Sequence, residues 1–220
     1  MKPKVFYFYD ALCGWCYGFS PVMHRLLDTY ATVVDFEIIS GGMVLHERAG
    51  IVNPQMSQYI LNAIPQVTAL TGVSFGEPFK AQLQSGTRYQ NSWKPSLALT
   101  AYKKLHIASS FDFATAMQRA TFVDGLNLED DSTYVQILAH DAHVTVEHLF
   151  EQMAVPKTTG RTQQGFDFTQ QLSVQGFPAL FAQIHGQYYQ LTSGYVSYEQ
   201  LQPVMEKIQA IAAQSPEINA

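Results

Sequence analysis

Apolar and aromatic residues run unbroken from Val5 to Tyr9, the pattern of a strand covered on both faces. From Cys13 to Tyr30 the period changes. Val22, Met23, Leu26, Leu27 and Tyr30 recur at helical spacing and predict an amphipathic helix. Pro21 lies inside it, five residues past Cys16, and is expected to kink it. Val33 to Ile39 predicts a second strand, closed by the turn signal Ser40-Gly41-Gly42. A strand, helix and strand of these lengths imply a right-handed βαβ unit with parallel strands.

From residue 44 to residue 171 the pattern is helical, broken by Pro and Gly. Helices are predicted from Pro54 to about Leu70, Pro78 to about Leu83, Lys94 to His106, and Phe111 to about Asp124. Further ones follow from Ser132 to Ala139, Thr145 to Met153, and Thr159 to about Ser173, with Glu147 in the first turn after Thr145. No strand-like alternation of useful length occurs there. Phe177 to Ile184 then resumes strand character, and His185-Gly186 is a two-residue turn before Gln187 to Thr192, which predicts an antiparallel hairpin. A last helix carries Tyr198, Leu201, Val204, Met205, Ile208 and Ile211 on one face and is expected to end before Pro216. Pro203 should delay its start or kink it. The fold class is therefore α/β: a β-α-β … β-β-α thioredoxin-like order with a large all-helical insertion in the crossover. Residues 1–43 and 172–220 form the discontinuous thioredoxin-like domain, and residues 44–171 form the helical subdomain.

The chain has 220 residues, 47% hydrophobic and 14% charged, enough to bury a sizeable core. A net charge of −5 with no basic stripe argues against a nucleic-acid partner. No run approaches the ~20 apolar residues of a membrane span. The five apolar residues between Lys4 and Asp10 are too few for a signal segment, so a cytoplasmic location is expected, where thiols are kept reduced.

That setting sharpens the meaning of the two cysteines. Cys13 and Cys16 flank Gly14-Trp15 directly after the first strand. Positions three apart on a helix share a face, and a disulfide needs Cα atoms only ~5.5 Å apart. If Cys13 sits at the first turn, the free N–H groups and the helix dipole favour its thiolate. A thiolate with a second thiol one turn away is equipped for thiol–disulfide exchange. A structural staple is disfavoured because so short a loop gains little entropy. A zinc half-site lacks a second CxxC to complete about four ligands. Two unrelated buried cysteines remain a third reading. His24 lies ~12 Å along the helix from Cys16 and cannot touch either sulfur. His140, His143 and His148 form the densest histidine group, but a helix break near Val144 makes polar residues at a helical corner the better reading than a metal site.

Cys13-Gly14-Trp15-Cys16-Tyr17 after a strand, Gly176-Phe177-Pro178-Ala179-Leu180-Phe181 before a hairpin, and Ala116 to Phe122 leading to Asn127-Leu128 together carry a family likeness. The chain resembles the DsbA-like family of the thioredoxin superfamily, and most closely its cytosolic FrnE-like, protein-disulfide-isomerase branch. The resemblance covers nearly the whole chain. It implies a cis proline at Pro178 facing the cysteines, with Cys13 as nucleophile and Cys16 as resolving thiol. Trp15, Tyr17, Phe19 and Phe177 would form an apolar rim beside Pro178, with core packing the rival reading and the better one for Phe19; Trp93 is a candidate for the helical side of the groove or for the core. No bound cofactor is implied beyond the redox-active Cys13–Cys16 disulfide. Protein or peptide thiols and disulfides are the implied partners, with glutathione or another small thiol as an admissible redox partner.

Two departures from the family pattern matter. Gly14-Trp15 replaces the Pro-His of the periplasmic oxidant, so a milder, more reducing couple is expected. Tyr7 stands where that oxidant places a buried glutamate, leaving water or Asp10 to take its part; Asp10 itself reads first as a turn residue. Two rival readings stay open: a kappa-class glutathione transferase or isomerase, which usually has serine in place of Cys13, and a non-catalytic binding module or metal protein using the CxxC.

Overall fold

The apolar run at the N-terminus becomes β1 (Lys4–Tyr9), and it is the inner strand around which the sheet is laid. The structure is a computed structural model and describes residues 2–213. With β2 (Asp35–Ser40), β5 (Ala179–Ile184) and β6 (Gln187–Ser193) it makes a four-stranded sheet of order β2-β1-β5-β6. β1 runs parallel to β2, from Lys4 opposite Asp35 to Tyr9 opposite Ser40, and antiparallel to β5. β5 and β6 form the expected hairpin. His185 and Gly186 both have positive φ, 50° and 80°, the conformation a two-residue primed turn demands.

Side chains alternate across β1, so each face has its own cover. Val5, Tyr7 and Tyr9 join a large cluster with Leu26, Leu99, Met117, Leu180 and Met205. Phe6 and Phe8 face the other way, onto Phe168 and Phe181. The first face is closed by α1 (Gly14–Tyr30) and α9 (Tyr198–Ala213), both amphipathic as expected. Ile211, placed on the apolar face by its spacing, is instead 47% exposed, because the helix has passed the edge of the core there. The expected stop before Pro216 lies outside the described residues.

Between the two halves of the sheet come α2 (Pro54–Thr71), α3 (Glu77–Ser85), α4 (Trp93–Leu105), α5 (Ser110–Phe122), α6 (Asp131–Leu138), α7 (Val146–Met153) and α8 (Pro156–Gln171). The helical insertion is thus present, with ends within a few residues of those predicted. One correction applies. Two short strands, β3 (Gly50–Ile51) and β4 (Tyr89–Gln90), pair antiparallel inside it. Two residues are too few to show a period, so the pattern could not reveal them.

Helix α1 runs through Pro21 without stopping. A proline there leaves the Tyr17 carbonyl without its helical N–H, and the Ser20 hydroxyl donates to that oxygen at 2.8 Å. The start of α9 at Tyr198 likewise stands, with Pro203 inside the helix.

The outer edge of β2 is guarded electrostatically. Glu37 accepts from Lys103 Nζ at 3.1 Å and pairs with Lys4, while Lys103 also donates to the Ile38 carbonyl at 2.7 Å. A lysine on an open strand edge blocks pairing with another chain. Burial raises the Glu37 pKa, but the neighbouring Lys103 and Lys4 more than offset it, and the carboxyl titrates below its usual range. A depressed carboxyl contributes stability above its unfolded pKa and loses it as pH falls through the folded one. Glu37→Gln should therefore cost about 1–2 kcal/mol at pH 7. In urea titrations across pH, that gap should narrow as pH falls below the ordinary glutamate range, about 4.3, and close once the folded carboxyl is protonated.

Candidate active site

Cys13 is the N-cap of α1. It has extended backbone (φ −89°, ψ 112°), and its sulfur accepts from the Cys16 N–H at 3.4 Å. This is the geometry by which a serine or threonine caps a helix. It explains the spacing, because the residue whose N–H a cap reaches is the third one into the helix. The Cys13 N–H donates in turn to the Asp10 carbonyl at 3.1 Å, which fixes the tight exit from β1. The two cysteines are not joined in this structure; both are free.

The opposite wall comes from far along the chain. The Phe177–Pro178 peptide bond is cis, and the Cys13 thiol lies 3.4 Å from the Phe177 carbonyl, to which it donates. The Pro178 carbonyl accepts from Gly194 N–H at 2.8 Å, which ties the loop to the end of β6. Gly41, at the exit of β2, passes directly beside the Phe177 ring; a Cβ there would sit 2.0 Å from the ring carbon Cζ. Any side chain at residue 41 would have to displace that ring.

The two sulfurs differ in setting. Cys13 is 6% exposed and Cys16 is wholly buried. Burial pushes the Cys16 thiol well up, and a charge on Cys13 pushes it further. Below it lies Tyr7, whose hydroxyl donates to the Cys16 carbonyl at 3.4 Å. Burial, then the charges of Cys16 and Cys13, raise the Tyr7 pKa far above its ordinary value. The phenol thus stays protonated and offers a neutral donor where the family likeness led one to look for a carboxylate.

Asp10 is more than a turn residue. It is 1% exposed, and one carboxylate oxygen accepts from Leu12 N–H and Ser92 Oγ, each at 2.9 Å, the other from Met43 N–H at 2.8 Å. Burial pushes its pKa up, against the pull of those three donors.

The aromatic residues named from the sequence divide. Trp15 is half-buried, stands 6.3 Å from the Tyr195 ring, and lines a cleft of about 90 Å³ with Leu12, Gly14, Ile60 and Phe75. Phe177 sits beside Cys13 as described. Tyr17 does not join them at the rim. It is 5% exposed, stacked on Phe122 and edge-on to Phe75, with its hydroxyl on the Ser74 carbonyl. One step along a helix turns a side chain by about 100°, which carries residue 17 away from the cysteines and under α2 and α3. Phe19 is core, packed on Tyr7, and Trp93 packs edge-on against Phe166.

His24 meets Thr115 at 2.9 Å and lies 3.6 Å from Asp112, away from the sulfurs. The histidine-rich stretch forms a helical corner. Asp141 accepts from His143 N–H and Val144 N–H and from the Tyr102 hydroxyl, and His143 stacks on His106. Among the described residues no group of three or more His, Cys, Asp or Glu is placed to hold a metal ion, and no helix is long and apolar enough to cross a membrane. Sequence reasoning missed Arg88, 2% exposed, whose guanidinium bonds Gln82 and Thr121. No local pattern marks a buried arginine whose partners are this scattered.

A cysteine capping a helix at the end of an inner strand, with a second cysteine beneath and a proline loop opposite, defines a dithiol site on a thioredoxin-like fold. The family model "DSBA-like thioredoxin domain" matches residues 4–206, and the chain belongs to that family of thiol–disulfide oxidoreductases. No curated protein matches the chain. Among solved structures, it is similar to a candidate protein disulfide isomerase from Nitrosomonas europaea, at TM-score 0.82 and 22% identity, over 94% of this chain and 97% of that one. It is also similar to the cytosolic disulfide reductase DsbM from Pseudomonas aeruginosa, at TM-score 0.72 and 21% identity, over 94% and 95%. The structure of that reductase with GSH matches at TM-score 0.71 and 20% identity, over 94% and 96%. At such identities the likeness establishes the fold.

Replacing Tyr7 by Phe should keep the fold and cost about 0.5–1.5 kcal/mol in urea titration, the worth of one hydrogen bond. The variant should titrate its buried thiol at higher pH, followed by thiolate absorbance. An unchanged titration would show that the hydroxyl does not serve Cys16.

Proposed function

We propose that this enzyme reduces or exchanges disulfides in proteins or peptides, with Cys13 attacking and Cys16 resolving. The observation that carries the reading is the position of the Cys13 sulfur, held between the Cys16 N–H and the Phe177 carbonyl, each at 3.4 Å. The Cys13 thiolate attacks one sulfur of a substrate disulfide. A mixed disulfide forms and the other substrate sulfur leaves as a thiolate. Cys16 then loses its proton and attacks Cys13, which releases the second substrate thiol and leaves a Cys13–Cys16 disulfide. Two electrons pass to the substrate.

The order of events follows from the electrostatics of the pair. While Cys13 is a thiolate, its charge and burial both keep Cys16 protonated. Once Cys13 is bound to substrate that charge is gone, and Cys16 ionises more readily. The buried thiol is thus inactive until it is needed. Phe177 keeps its backbone carbonyl toward the sulfur, and Pro178 has no N–H. An extended substrate segment would pair along this loop in the manner of an added strand, with Trp15 beside it.

A cytosolic reductive role agrees with the Gly14-Trp15 dipeptide, with the sparse cysteine content, and with the name of the Pseudomonas neighbour. The Cys13–Cys16 disulfide left by each cycle is then reduced by an external thiol, a part that glutathione fits as well as a protein thiol does. Two sulfurs brought together at one helix end favour exchange over thiol activation for conjugation.

Cys13→Ser should lower insulin reduction at least a thousandfold. Cys16→Ser should retain the first attack and accumulate a mixed disulfide, seen by mass spectrometry as a covalent adduct at Cys13. An adduct at Cys16 in the Cys13→Ser variant, with activity retained, would reverse the assignment.

A further inference from the structure

A second cavity lies away from the cysteines, along the open edge of β2 where α4 and α8 meet it. It has a volume of about 590 Å³, within the range of small-molecule sites. It shares no lining residue with the cleft beside Trp15. Its charged lining is Lys103, Lys104, Arg161 and a single acid, Glu37. That acid is already divided between Lys103 and Lys4. Lys104 and Arg161 are exposed and take part in none of the ion pairs among the described residues.

The whole chain carries −5, yet this cleft gathers three cations against one carboxylate, which Lys4 from outside the lining also pairs. Guarding the β2 edge requires only Lys103, which already fills the Ile38 carbonyl. The other two cations have no such task. Concave walls of low dielectric focus their field into the cleft, and a guanidinium beside ammonium groups suits an oxyanion that accepts several hydrogen bonds. The remaining wall is mixed: Ile39, Phe168 and Ile107, the last 68% exposed, stand beside the polar Ser40, Thr100 and Gln164. A wholly inorganic anion would leave that wall in water.

We infer that the β2–α4–α8 cleft binds a small organic anion, a phosphate ester or equivalent oxyanion with an apolar body, through Lys103, Lys104 and Arg161 with Ile107 and Phe168 against the body. Burial lowers the Lys103 pKa, and an anion in the cleft would offset that cost. The site stands independently of the proposed disulfide chemistry.

Phenyl phosphate is a suitable probe. It would be titrated into the full chain at constant ionic strength, with amide NMR shifts as the readout and with inorganic phosphate and benzyl alcohol as separate arms. Saturable shifts are expected in Ile39–Ser40, Thr100–Lys104 and Arg161–Gly165, with each half-probe at least tenfold weaker. Lys104→Gln with Arg161→Gln should weaken phenyl phosphate at least tenfold and leave insulin reduction unchanged; both residues are exposed, so the fold should hold. Lys207→Gln, on α9, is the charge control. Shifts spread over the surface, equal binding by inorganic phosphate, or equal loss in the Lys207 variant would overturn the inference.

Discussion

The buried carboxylate of Asp10 is the constraint on which the site depends. It ends β1, and through its two oxygens it holds the Leu12 N–H, the Met43 N–H and the Ser92 hydroxyl. Ser92 Oγ in turn accepts from Val44 N–H at 3.0 Å. One side chain thus joins the turn into α1, the loop after β2 and the start of α4. A buried carboxylate left without donors would be costly; with them it becomes a junction. The first of these segments leads directly into Cys13, and Met43 and Val44 follow Gly41, which passes beside the Phe177 ring. Gln118 adds a longer contact, 3.5 Å, to the Asp10 carbonyl.

From that junction the geometry of the sulfurs follows. β1 is buried on both faces and cannot tilt, so its last residue fixes where α1 begins. Because α1 begins at a cysteine cap, the sulfur of Cys13 points at the helix end and that of Cys16 points inward. The β5–β6 hairpin pairs beside β1 and delivers the Phe177–Pro178 loop to the same end of the sheet. Sheet order alone therefore brings residues 13 and 177 together. The helices of the insertion complete the walls: α2 and α3 close the small cleft at Trp15, while α4 and α8 frame the separate cationic cleft at β2.

The parts that were legible in the sequence are those with a local signature. Val5–Tyr9 announces a covered strand, His185-Gly186 a primed turn, and Cys13 and Cys16 a capped helix with two sulfurs in reach. The order of elements then points to the fold. What stayed hidden depends on partners far along the chain. Asp10 reads as a turn residue because Met43 and Ser92 lie 33 and 82 residues away. Arg88 gives no sign of being buried, since its partners are scattered over α3, α5 and the loop after α5. Tyr17 misleads because adjacency to Cys16 suggests a shared surface, whereas helical rotation sends it beneath α2 and α3. The paired strands β3 and β4 are shorter than any readable period.

The assignment of the two sulfurs to different tasks is the core of the account, and their relative reactivity tests it most directly. The reduced protein would be pulsed with iodoacetamide under native conditions and the two cysteines quantified by peptide mass spectrometry over time. Cys13 should be alkylated at least tenfold faster than Cys16, whose sulfur is wholly buried and held protonated. Equal rates, or faster modification of Cys16, would contradict it.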